Sequence, residues 1–114
     1  SHFTATQIHE LLGYPLARLR VVPHGVHSPA SLGAWEARKP VVLSVGAVQE
    51  RKNTRRLLTA FRALPAPWEL WIAGSMGYGA DEIARLAQEQ ARVKLLGYVS
   101  EPDLAALYAT ARLF

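Results

Sequence analysis

Apolar positions along this chain follow two alternating spacings. Val41, Val42, Leu43 and Val45 form a nearly unbroken, mainly β-branched run closed by Gly46, the pattern of a strand buried on both faces and hence of a parallel sheet. Two more such runs follow, Trp68 to Ala73 ending at Gly74 and Val93 to Leu96 ending at Gly97. Between them the spacing becomes helical. Leu57, Leu58, Phe61 and Leu64 share one face with Arg55, Arg56 and Arg62 left for solvent, and Ile83, Leu86, Ala87 and Gln90 share another behind Asp81 as a cap. Ser100 and Asp103 read as a capping box, with Pro102 in the first turn, before a helix whose buried stripe is Leu104, Leu107, Tyr108 and Ala111. Leu113 and Phe114 read as the first residues of a fourth strand. Ahead of all this, Thr4 caps a short helix with Ile8, Leu11 and Leu12 on its apolar face, stopped by Gly13 before Pro15. Leu19 to Val22 reads as a short strand ended by Pro23 and Gly25, and Ser28 to Lys39 as a surface connection. Strand, glycine-ended loop and helix, three times over, predict an α/β domain with a parallel sheet and right-handed crossovers.

Composition narrows the class. The 114 residues are 50% hydrophobic and 19% charged, too apolar for a disordered tail and enough for one domain. The longest apolar stretch, Val41 to Val48, is far too short to span a bilayer, and Ser1 to Glu10 lacks the basic start and apolar block of a secretory signal. With no cysteine, disulfide scaffolds, thiolate chemistry and Cys-ligated zinc are excluded, and a reducing cytosol suits the chain. Thirteen basic against nine acidic side chains give a net charge of +4, which suggests an anionic partner without choosing one. The cluster Arg51, Lys52, Arg55 and Arg56 is where that excess concentrates.

Ligands of open parallel sheets bind beyond the carboxyl ends of the strands. Three segments occupy that edge: Gly46 to Thr54, Gly74 to Ala80, and Gly97 to Ser100. The first sets Arg51 and Lys52 just before a helix that Asn53 or Thr54 would cap, where amides, dipole and side chains together favour a phosphate. A solvated basic helix start has the same spacing, and both readings stand at this point. Two better-known phosphate motifs do not fit. A P-loop needs glycine where Arg51 stands, and Gly74, Gly77 and Gly79 run out of dinucleotide order, so that segment reads as a mobile turn. His24 and His27 lack supporting acids for a metal, and none is expected; His2 and His9 read as surface residues. No Ser-His-Asp or paired-carboxylate set can be assembled. Trp35, Trp68 and Trp71 read as core or interface rather than base-stacking platforms, and the basic residues form no long stripe, so nucleic acid is not an expected partner.

Five segments in register carry a family resemblance: Arg20-Val-Val-Pro-His-Gly-Val26; Val42-Leu-Ser-Val-Gly46 with Arg51-Lys-Asn53; Leu70-Trp-Ile-Ala-Gly74; Val93-Lys-Leu-Leu-Gly-Tyr-Val-Ser100; and Asp103-Leu with Leu107-Tyr-Ala109. Together they resemble the first part of the C-terminal, donor-binding domain of the group 1 retaining glycosyltransferases of GT-B fold. The resemblance implies a Rossmann-like sheet, a linker helix over residues 1–14 and a partial donor domain over 15–114. It implies that Gly46, Arg51 and Lys52 meet the diphosphate of a nucleotide sugar, which acts as substrate with no separate cofactor. Gly97, Tyr98 and Val99 would meet the base. Ala47 departs from the arginine that many members carry after the first-strand glycine, which leaves the clamp to Arg51 and Lys52. The family's paired-glutamate motif follows the fourth strand, so it is expected beyond Phe114 and no catalytic residue is expected within the chain.

The implied reaction is transfer of a hexosyl group, with a lean toward mannosyl from the Arg-Lys-Asn form, to a sugar or lipid-linked acceptor with retention. By the same reading the N-terminal acceptor domain and the rest of the donor domain are missing partners, and the 114 residues alone are inactive. The parent enzyme would be cytoplasmic or peripheral at a membrane, and the sheet edge invites self-association. The competing reading is a Rossmann-like module that binds a nucleotide without chemistry.

Overall fold

The computed structural model describes residues 1–26 and 34–114. His27, and the first half of the connection expected from Ser28 to Lys39, lie outside the described residues. Four strands, β1 (Lys39–Val45), β2 (Glu69–Ala73), β3 (Val93–Gly97) and β4 (Ala111–Leu113), form one parallel sheet in the order β3-β2-β1-β4. The chain therefore winds outward from β1 to β3, then returns to the other side of β1. Helices α2 (Thr54–Phe61) and α3 (Ala80–Gln88) make the outward crossovers, and α4 (Glu101–Thr110) makes the return. This is the α/β parallel sheet expected of the repeated strand–helix pattern, in the Rossmann-like form that the resemblance implies.

Reversal of direction places the helices on opposite faces, and the period-2 alternation of each strand feeds both. From β2, Leu70 and Ile72 join Leu58, Phe61, Ile83 and Ala87 in the core beneath α2 and α3. Its neighbours Trp71 and Ala73 face the other side, where Val41, Leu43, Ala111 and the half-buried Leu107 gather under α4. The first core is the larger. Each fully buried Leu or Ile there contributes about 1.5–3 kcal/mol.

Several expectations need correction. No strand forms over Leu19–Val22. A short 3-10 turn at Leu16–Arg18 precedes it, and the segment finds no neighbouring strand to pair with. Helix α1 (His2–Leu12) is capped by Ser1, whose hydroxyl accepts from the Thr4 backbone N–H at 3.1 Å, so Thr4 lies within the helix. Gly13 ends it as expected, in a left-handed conformation (φ 65°), but Ile8, Leu11 and Leu12 bury nothing against the sheet. Asp81 sits in the first turn of α3 rather than capping it; Gly79, at φ 72°, holds the cap position. Ala111 belongs to β4 and not to the α4 stripe, so the fourth strand begins two residues before Leu113. Tyr108 is exposed and stacks edge-on against Phe114, with ring centroids 5.0 Å apart. Ser100 does cap α4: its hydroxyl accepts from the Asp103 N–H at 3.3 Å and donates to the Asp103 carboxylate at 2.6 Å.

Candidate functional site

The carboxyl ends of the strands bring the three glycine-ended loops into one line. Gly74 donates its N–H to the Gly97 carbonyl at 2.7 Å, and the Gly46 N–H donates to the Ala73 carbonyl at 2.9 Å. A Cβ on Gly74 would lie 2.0 Å from the Gly46 carbonyl oxygen, so only glycine fits between its two neighbours. Gly46 and Gly97, expected at opposite ends of one ligand, thus border a strip of backbone on which no side chain intervenes at Gly74. The loop after β2 is tied down. The Val48 N–H donates to the Ser75 carbonyl (2.9 Å), the Gly77 N–H to the Val48 carbonyl (3.0 Å), and Val48 and Met76 form a parallel bridge. Residues 78–79 form the turn expected of this segment, and these bonds join its first half to the β1 loop.

Arg51 and Lys52 occupy a 3-10 turn, Glu50–Lys52, between β1 and α2. Asn53 closes that turn in the left-handed region (φ 57°) and stands at the start of α2, but its side chain makes no capping hydrogen bond. The first-turn amides of α2 are therefore left without a side-chain acceptor. Thr54, the other expected cap, is the first residue of α2 and is buried. Lys52 is exposed, and the Arg51 Nε donates to Gln49 Oε1 at 2.7 Å.

The basic cluster is not one patch. Arg55 meets Glu82 through two parallel hydrogen bonds of 2.5 Å, tying the first turn of α2 to that of α3. Hydrogen bonding to Glu82 and its charge hold Arg55 above its ordinary pKa, and the same contact holds the Glu82 carboxyl below the usual range. Arg56 borders a groove of about 470 Å³ that also contains Glu50, Asp81 and Glu82. Acids are interleaved with Arg55 and Arg56, which leaves Lys52 and Arg51 of the cluster, the latter with Glu50 in the same groove.

On the other face, Tyr98 is 84% exposed while Val99 packs into the smaller core. Both border a groove of about 440 Å³ floored by Trp71, Leu96 and Leu107, with Ser100 and Asp103 at its rim. Trp71 is held in place by donating Nε1–H to Glu69 at 2.6 Å, and Lys94 bonds the same carboxylate at 2.9 Å. The Lys94 bond, with help from Trp71, keeps the Glu69 carboxyl below its ordinary pKa. Trp68 packs against the larger core, and Trp35 is half exposed beside Arg112. His2 and His24 are exposed, His9 bonds the Tyr14 carbonyl, and among the described residues no three potential ligands converge on a metal site.

Comparison with known proteins decides the family. The profile described as "Glycosyl transferases group 1" matches residues 39–114, from the first residue of β1 through the end of the chain. The chain belongs to the group 1 glycosyltransferases. The match covers every strand and all three edge loops; α1 and the arm that follows lie outside it. The whole chain is also similar to the O-antigen chain mannosyltransferase B of Escherichia coli, at 30% identity, and spans 35% of that protein's length. No solved structure matches significantly. Among the described residues of this glycosyltransferase chain, no helix is long and apolar enough to cross a membrane.

Sequence reading missed the Arg55–Glu82 pair, which joins positions 27 apart and has no local signature. It also passed over Tyr78, which is 88% exposed; an aromatic flanked by Gly77 and Gly79 was the available signal.

Proposed function

We propose that residues 15–114 are the first part of the C-terminal, nucleotide-sugar-binding domain of a GT-B glycosyltransferase, and that residues 1–14 link it to an acceptor domain. The observation that carries this reading is the side-chain-free line Gly46–Gly74–Gly97, continued by the uncapped start of α2 with Arg51 and Lys52 beside it. The strand order reverses at β1, and such a reversal is where open α/β sheets bind ligands. A nucleoside diphosphate laid along this edge sets its phosphates by the β1 loop and its base by Gly97, Tyr98 and Val99.

The reaction is transfer of a hexosyl group, mannosyl by analogy with the relative's name, from a nucleoside diphosphate sugar to a sugar or lipid-linked acceptor with retention. Negative charge grows on the diphosphate as its bond to the sugar breaks. Lys52, with the field of Arg51 and the N-terminal end of α2, which has no side-chain cap, opposes that charge where it develops. No side chain within residues 1–114 is assigned to bond-breaking, and the donor is a substrate that needs no separate cofactor in this account. The acceptor domain and the remainder of the donor domain are the partners this reading requires, and the 114 residues alone show no transfer. The enzyme works in the cytoplasm or at a membrane surface. Self-association of the chain through the outer edge of β4 is expected.

Titration calorimetry with nucleoside diphosphates tests the site. The expected Kd is about 1 mM, near −4 kcal/mol, weakening as salt screens the cations. Lys52→Ala weakens it severalfold. An unchanged affinity in that variant refutes the phosphate assignment.

A further inference from the structure

We propose that the groove between Tyr78 and Arg51 holds one uncharged hexose of a saccharide acceptor, an inference that rests on the glycosyl-transfer function proposed above. The groove has a volume of about 480 Å³ and is lined by Gln49, Glu50, Arg51 and Tyr78. Tyr78 is 88% exposed and supports no core, yet the loop that carries it is fastened. Backbone bonds join it to Val48 on both sides of Met76, and a Cβ on Gly77 would lie 2.6 Å from Gln49 Cγ. An aromatic ring presented to solvent on a hydrogen-bonded loop offers its face to a ligand that has an apolar face of its own.

A pyranose has such a face in its C–H groups and a rim of hydroxyls. Around the Tyr78 ring stand an amide, a carboxylate and a guanidinium, which between them offer both donors and acceptors to that rim. Arg51 is already set in place by its 2.7 Å bond to Gln49. Charge selects against a nucleotide, because Glu50 offsets Arg51 and a diphosphate entering here would face the carboxylate. Successive residues of a 3-10 turn lie about 120° apart around its axis. Arg51 and Lys52 therefore divide the work: Arg51 borders this groove, and Lys52 borders neither it nor the neighbouring groove at Arg56.

The test is a pair of amide-resolved NMR titrations of the full 114-residue chain, one with mannotriose and one with GDP. Mannotriose is expected to shift the amides of Gly77 to Gly79 and Gln49 to Arg51. Tyr78→Ala should weaken that titration about tenfold, the value of a lost ring contact, whereas Tyr78→Phe keeps it within about twofold. The exposure of Tyr78 leaves folding intact in both variants, which the rest of the spectrum reports. Absence of a mannotriose response, or one unchanged in Tyr78→Ala, overturns the groove even if a Lys52-dependent GDP response upholds the donor site. A Tyr78-dependent mannotriose response beside a GDP titration indifferent to Lys52→Ala sustains the groove and sinks the donor site. If GDP moves the Tyr78 loop and mannotriose does not, the assignment to a neutral sugar is wrong.

Discussion

Helices α1 and α2 show opposite ways of being a helix. The first has every local signal: a Ser1 side-chain cap, a left-handed Gly13 at its end, a backbone bond from Gly13 to His9, and no buried residue at all. Phe3, Leu11 and Leu12 are each about three-quarters exposed. The second has no side-chain cap, yet it buries Thr54, Leu58 and Phe61 against the sheet. End signals decide where a helix starts and stops, whereas packing decides whether it contributes to the stability of the domain. The proposed nucleotide edge would gain from the second arrangement, since a helix held by its core does not need a side-chain cap on its first turn.

The largest break in this comparison lies next to α2 rather than within it. Gly74→Ala sets a methyl 2.0 Å from the Gly46 carbonyl at a φ of 151°. Strain and overpacking together should cost at least about 3 kcal/mol, read as a lower midpoint in denaturant, with the Gly46 and Gly97 amides shifted. Leu58→Ala should cost about 2–5 kcal/mol, whereas Leu11→Ala on α1 should change global stability by less than about 0.5 kcal/mol. Equal losses at the two leucines would show that α1 packs on the domain in solution. Ser1→Ala should cost α1 about 1 kcal/mol of local helix stability, seen in its Cα chemical shifts, with the melting of the sheet unmoved.

The smallest effect is in pH. Glu69 and Glu82 are held below their ordinary pKa, so the folded form binds their protons less readily than the unfolded chain. Their contribution is complete above the unfolded carboxylate range and is lost as pH falls through the depressed folded values. Both groups are solvent-accessible and screened, so the slope is shallow. Denaturant midpoints between pH 7 and pH 3 should fall less steeply in Glu82→Gln than in the parent chain.

Those contrasts also explain what could be read in advance. The presence and order of β1, β2 and β3 were legible, with their ends off by one or two residues, because a doubly buried parallel strand is an apolar run closed by glycine. The larger core was legible because Leu58, Phe61, Ile83 and Ala87 keep helical spacing. What escaped was non-local. Ala111 continues the spacing of α4, and only its pairing opposite Lys39 makes it a strand residue. Leu19–Val22 looks like a strand but pairs with neither edge of the sheet. At the candidate site, the sequence placed Gly46, Arg51, Lys52 and the Gly97–Val99 turn on one edge. It could not show that Gly74 closes the distance between them, nor that Glu82 removes Arg55 from the basic cluster.

The central claim is that a nucleoside diphosphate lies along the carboxyl edge of this sheet. Backbone amide exchange in the presence and absence of GDP tests it most directly. The account predicts slowed exchange and shifted resonances at Gly46, at Lys52 to Arg55 and at Gly97 to Val99, with α1 unaffected. Protection confined to α1, or to the opposite edge around Lys39 and Ala111, would contradict it.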